Sequence, residues 1–224
     1  MRILRRFGMS CLVVAAMALG VSAQMGMGMR GAPQLRGILN PVVGSGGQYE
    51  ITTAKGEKMS MEMVIVGKET VDGKAAYWFE NTMTSERMGG EMVVKALTVV
   101  DGQDTVVSRM IMQMPNHPPM EMPAQMVQMH GQKRPTDIRS EAEDVGSESV
   151  TTPAGTFATE HYKMKDGSGD MWIAAKAGPY GLVKFQGKDS TMLLTKVITD
   201  GKDKITGTPQ PFNPMMFGQD QQHP

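Results

Sequence analysis

Apolar and polar residues alternate along most of this chain with the period of a β-strand. Between Lys58 and Val66, Met59, Met61, Met63 and Ile65 fall on one side. Ser60 and Glu62 fall on the other, and Val64 and Val66 join late. Side chains two apart share a strand face, whereas a helix would scatter these methionines around its surface. The same alternation predicts a strand over Gln48–Ala54 and another over Ala75–Thr82, with the strong hairpin signal Asp72-Gly73 before the latter. Glu91–Val100 fits strand or short helix equally. Thr105–Met114 alternates again, placing Val106, Met110, Met112 and Met114 on one face and Val107, Arg109, Ile111 and Gln113 on the other.

Pro115 to Pro119 interrupts the pattern. Pro123 then suits the start of a helix, and Met122, Met126 and Met129 recur at helical spacing. From Val145 to Ile198 four or five short strand-like runs follow in series, each closed by turn residues such as Pro153-Ala154-Gly155 and Asp166-Gly167-Ser168-Gly169. In this meander Trp172, Leu182, Phe185, Leu193 and Val197 are core candidates. The fold class expected is mainly β, with at most one or two short helices.

The ends read differently. Arg2, Arg5 and Arg6 precede an apolar run from Cys11 to Val21, and Val21-Ser22-Ala23 closes it in small residues. That is the layout of a secretory signal peptide, too short to span a membrane, with cleavage expected near Ala23/Gln24 and a periplasmic or secreted product. Residues 24–37 read as a flexible Gly/Met-rich leader, 38–206 as a single β-rich domain, and 207–224 as a disordered Pro/Gln-rich tail.

Composition narrows the functions. Cys11 is the only cysteine, so the exported chain has no disulfide, thiolate metal site or cysteine nucleophile. Basic and acidic residues number 23 each; loss of the three signal arginines leaves 20 against 23, a formal charge of −3. That balance lacks the basic face nucleic acid requires. The sequence contains no G-x-S-x-G, H-E-x-x-H or P-loop. His161 neighbours Glu160, but adjacent strand residues point to opposite faces, so His161 reads as a strand-surface or cavity-rim residue. The expectation is a non-catalytic protein without a cofactor.

Methionine is the anomaly, 24 in all and 21 after the signal. Pro153-Ala154-Gly155-Thr156-Phe157, Trp172-Ile173 and Gly181-Leu182-Val183-Lys184 resemble a pattern of exported bacterial proteins of the LolA/LolB-like lipoprotein-carrier superfamily, over about the last third of the chain. The resemblance implies a strongly curved antiparallel sheet, an incomplete barrel, with helical segments closing its mouth over a cavity for acyl chains. This chain departs from the pattern in having little helix.

Three readings of the methionines follow. In the first, Met59, Met61, Met63, Ile65, Met110, Met112 and Met114 line a concave sheet, Met122, Met126 and Met129 cover it, and a lipid or acyl chain binds there, with a membrane or lipoprotein as a further contact. Methionine is flexible and polarizable enough for varied apolar partners. In the second, recurring M-x-M motifs bind Cu(I) through soft thioethers, with His117, Met120, Met122 and His130 as the exposed ligands. In the third, the stripes are ordinary core, and the protein is a structural or protein-interaction module.

Overall fold

The computed structural model describes residues 36–84, 89–130 and 133–213. The expected signal peptide, nearly all of the leader and residues 214–224 lie outside these. Within them the chain is mainly β, as the alternation predicts. It comprises β1 (Gly46–Thr53), β2 (Lys58–Val71), β3 (Lys74–Thr84), β4 (Glu91–Asp101), β5 (Asp104–Gln113) and β6 (Met120–Glu121). After the helix α1 (Ala124–His130) come β7 (Arg134–Pro135), a 3-10 turn (Ile138–Ser140), β8 (Ala142–Thr152), β9 (Gly155–Met164), β10 (Gly169–Ile173), β11 (Leu182–Gly187), β12 (Ser190–Ile198) and β13 (Gln210–Pro211).

The strands form one sheet in the order β13-β6-β5-β4-β3-β2-β1-β12-β11-β10-β9-β8, with β7 on β5. Two meanders therefore meet where β1 pairs antiparallel with β12. The sheet curls, because β8 reaches β11 and β12 as well as its ladder partner β9, yet its outermost strands do not pair and it stays open. The Asp72-Gly73 turn has both residues at positive φ, 49° and 77°, the geometry a two-residue hairpin between twisted strands demands.

Ladder register sorts the side chains into two faces, because directly paired residues project the same way. The inner face carries the row Leu194–Tyr49–Met61–Met83–Met92. Beside it run Met63–Asn81–Val94–Met112–Met120 and Ile65–Phe79–Ala96–Met110. The outer face carries Val64–Glu80–Lys95–Ile111 and Gly67–Trp78–Leu97–Arg109.

Each face has its own core. On the inner one Met63, Ile65 and Phe79 pack with Leu39, Tyr77 and Tyr180. On the outer one Ala76, Trp78, Leu97 and Ile111 are joined by Val66, Val71, Val99 and Ile205. Ile205 belongs to the segment after β12, which crosses the outer face as a strap. Gly201 N–H donates to the Gly44 carbonyl at 3.0 Å, Gln210 N–H to Pro119 at 2.9 Å and Phe212 N–H to Glu121 at 3.1 Å. Gly201 must be glycine to pass this closely, since a Cβ there would lie 2.3 Å from Val64 Cγ1. Part of the expected disordered tail, up to Asn213, is thus docked, and β13 pairs parallel with β6.

Other expectations are corrected by single inserted residues. Ser108 is extra in β5, so Val106 sits on the Arg109–Ile111 face and Val107 on that of Met110. Thr195 is extra in β12, where Met192, Leu194 and Ile198 are buried and Leu193 and Val197 only half so. Each bulge is held by its own hydroxyl: Ser108 Oγ donates to the Leu97 carbonyl at 3.2 Å and Thr195 Oγ1 to Gln48 at 3.0 Å. Glu91–Asp101 is strand, not helix. The leader's last two residues are also engaged: Arg36 faces Glu141 at 3.5 Å, and the Gly37 carbonyl accepts from Ile138 N–H.

Candidate functional site

The inner face is where the methionines gather, and they are not equivalent along it. Toward its middle they are sealed: Met61 is 6% exposed, Met63 2%, Met83 5% and Met192 0%. The β10–β11 loop brings Tyr180 down onto this region, and Leu39 joins it from the N-terminal side. Burial pushes the Tyr180 hydroxyl up to about 12, and burial also raises that of Tyr49. Tyr49 Oη donates to the Leu182 carbonyl at 3.3 Å, tying β1 to β11 across the curl.

Toward β4, β5 and β6 the same face opens. Met92, Met110 and Met112 are half-buried there, as are Met114 just beyond β5 and Met122 just beyond β6; Met59 is half-buried on β2. β6 lies antiparallel to β5 with Met112 opposite Met120. Met122 N–H donates to the Met110 carbonyl at 2.8 Å, continuing that register. The result is two methionine pairs side by side, Met112/Met120 and Met110/Met122. Only Met120, at 1% exposed, is closed off.

The structure thus brings Met59, Met61, Met63, Ile65, Met110, Met112 and Met122 onto one face, in two environments. The helical stripe is placed differently from its expected role. Helix α1 forms, but Val127 is its buried residue, Met126 is half-buried and Met129 is 78% exposed. With fewer than two turns, α1 turns one narrow side inward, and Met129 falls outside it.

Of the residues expected to take Cu(I), Met120 of β6 and Met122 just beyond it sit on the inner face. His117 is half-buried in the preceding turn, its N–H bonded to the Met114 carbonyl. The His130 side chain lies outside the described structure. Among the described residues no group of three or more His, Asp or Glu side chains is arranged to hold a metal ion.

A polar cluster on the outer face is absent from the expectations. His161 stacks on Trp172 with ring centroids 4.3 Å apart and an interplanar angle of 17°. Lys184 Nζ lies 4.1 Å from the same indole, whose N–H donates to Glu148. Asp170 Oδ1 is 2.9 Å from His161 Nε2, and Glu148 Oε1 is 3.4 Å from Nδ1. Counting outward from the Asp166–Gly169 turn pairs residue 161 with 172 and 163 with 170, so hairpin register carried this signal. Each group named in the cluster has a polar or aromatic partner within it, which makes it a structural knot.

No protein-family model matches the chain, and no curated protein matches it in sequence. Among solved structures, a protein from Parabacteroides distasonis, provisionally named a lipoprotein, is 12% identical. The match covers 74% of this chain and 100% of that one, with a TM-score of 0.35. A provisionally named exported protein with a YmcC-like fold from Bacteroides fragilis is 14% identical, over 73% of this chain and 99% of that one, with a TM-score of 0.37. At these scores neither contributes to the reading of the site.

Proposed function

We propose that this is an exported, non-catalytic binding module that holds an acyl chain or a similarly apolar ligand at the open side of its inner face. One observation carries the reading. Along a single sheet face the residue type stays methionine while burial passes from sealed at Met63 to half-open at Met110, Met112 and Met122. Half-open thioethers offer apolar, adaptable surface to a partner. Export is supported by the basic, apolar and small-residue succession of residues 2–23. The Pro153–Phe157 and Gly181–Lys184 motifs, with their resemblance to lipoprotein carriers, fit the same reading.

The test is a native mass spectrum of the protein recovered from an exporting host, with Cu(I) offered under reducing conditions. Added mass of a fatty acid or phospholipid, lost on Met112→Asp while the fold persists, is the expected result. A bare mass from both proteins, together with no uptake of a fluorescent fatty acid, overturns it. The same spectrum tests a second reading, Cu(I) binding. The adjacent pairs Met112/Met120 and Met110/Met122 favour it, since paired side chains stand roughly 5 Å apart at Cβ and thioethers are soft ligands.

A further inference from the structure

The outer face holds a buried acid that the binding reading leaves unused. Glu80 is 2% exposed in the middle of β3, and both of its carboxyl oxygens accept from the backbone N–H of Lys204, at 3.0 and 3.2 Å. Lys204 is in the strap, as are Asp203 and Ile205. Lys95, directly opposite Glu80 on β4, reaches up to Asp203 and lies 4.9 Å from the Trp78 ring. Lys204 Nζ meets Glu62 of β2 at 2.9 Å and Glu91 of β4 at 4.0 Å. Asp203 Oδ1 also accepts from Ile205 N–H at 3.0 Å, holding Ile205 over Trp78, Leu97 and Ile111.

Between its backbone anchors at Gly201 and Gln210 the strap therefore rests on one buried carboxyl group and one apolar side chain. The charged groups facing Glu80 are Lys95 and Glu91 from β4, Glu62 from β2, and Asp203 and Lys204 from the strap. With Glu80 ionised the set holds four carboxylates against two ammonium groups; with Glu80 neutral it holds three against two.

We propose that the strap between its anchors at Gly201 and Gln210 is a latch seated on the outer face while the buried Glu80 carboxyl is neutral, and that ionisation of this acid loosens the strap and uncovers the Trp78–Leu97–Ile111 surface.

Burial, followed by the hydrogen bond to Asp203, pushes the Glu80 carboxyl up to about 7. For Asp203 burial acts upward but is outweighed by hydrogen bonds from Lys95 and Glu80, and its carboxyl ends below its ordinary value. A raised folded-state value means that the Glu80 contribution is complete below the ordinary glutamate range and is lost as pH rises through about 7. The lowered Asp203 value acts oppositely, its contribution failing only as pH falls below the ordinary aspartate range. The latch is closed in the mildly acidic window between these limits and opens on the alkaline side.

Hydrogen exchange of the full chain tests this, with observed rates divided by intrinsic rates at each pH. The expected result is a fall of about tenfold in strap protection between pH 5.5 and 8.5, with the β2–β4 ladder unchanged. Glu80→Gln, whose amide oxygen still accepts from Lys204 N–H and which carries no titrating proton, is expected to flatten the profile. Glu143→Gln, exposed on β8 at the far end of the sheet, is expected to leave it as in the wild type. Equal strap protection at both pH values overturns the proposal, as does an equal loss across β2–β4 or an undiminished pH dependence in a folded Glu80→Gln protein. The wild-type profile decides the matter by itself if that variant does not fold.

Discussion

Tyr180 stacks on Phe79 with ring centroids 5.7 Å apart and an interplanar angle of 24°. Phe79 belongs to the third strand and Tyr180 to a loop a hundred residues later, so this contact plugs the middle of the inner face. Tyr180→Ala is expected to cost about 3 kcal/mol, the scale of deleting a buried aromatic ring. Urea denaturation measures it, and a loss under 1 kcal/mol would mean that the loop does not brace the sheet.

The two environments along the methionine face make a paired prediction. Met61→Asp places a charge among sealed neighbours and is expected to cost more than about 4 kcal/mol or to prevent folding. Met129→Asp, on the exposed side of the helix, is expected to stay within about 0.5 kcal/mol of the parent. Parallel denaturation curves check both, and similar costs at the two sites would refute the placement of the helix.

At Gly201 the strap passes too close to Val64 for a side chain. Gly201→Ala is expected to destabilise by about 1–3 kcal/mol, the usual cost of overpacking. Its effect should concentrate in proteolytic cleavage after residue 199. Uniformly raised cleavage elsewhere in the sheet would count against a local role.

Glu148 is half-exposed, yet it accepts the N–H of the buried Trp172 indole. Glu148→Ala leaves that donor unanswered and is expected to cost about 1–3 kcal/mol, whereas Glu148→Gln restores an acceptor and most of the stability. Equal losses from the two substitutions would show that the acceptor role is unimportant.

The strands were legible because period-two alternation survives wherever one face is buried, as in Met59 to Ile65. Legibility stopped at the bulges. Ser108 and Thr195 look like ordinary polar positions, yet each adds one residue and exchanges the faces beyond it. The methionine face was visible strand by strand, and its graded burial was not. That gradient depends on where the Tyr180 loop lands, and no local pattern encodes a contact with Phe79. The helix was marked correctly by Pro123 and its spacing, but a stripe says which residues align, not which side turns inward. The end of the strap, residues 207–213, was read as disordered tail because its attachment uses backbone N–H groups, leaving no periodicity to find.

Pairing of β1 with β12 sets an order of events. Every other long strand finds its partner next to it in sequence, so both meanders can zip up from their own turns. The central seam cannot: Tyr49 waits for Leu194, which is made last but for the strap and tail. Until then the chain emerging from a ribosome carries an unpaired edge at β1. Joining ends so far apart is slow, because the loop entropy must be met before the contacts form. The half-made protein is accordingly the aggregation-prone one, and its protection is a matter of timing more than of final stability.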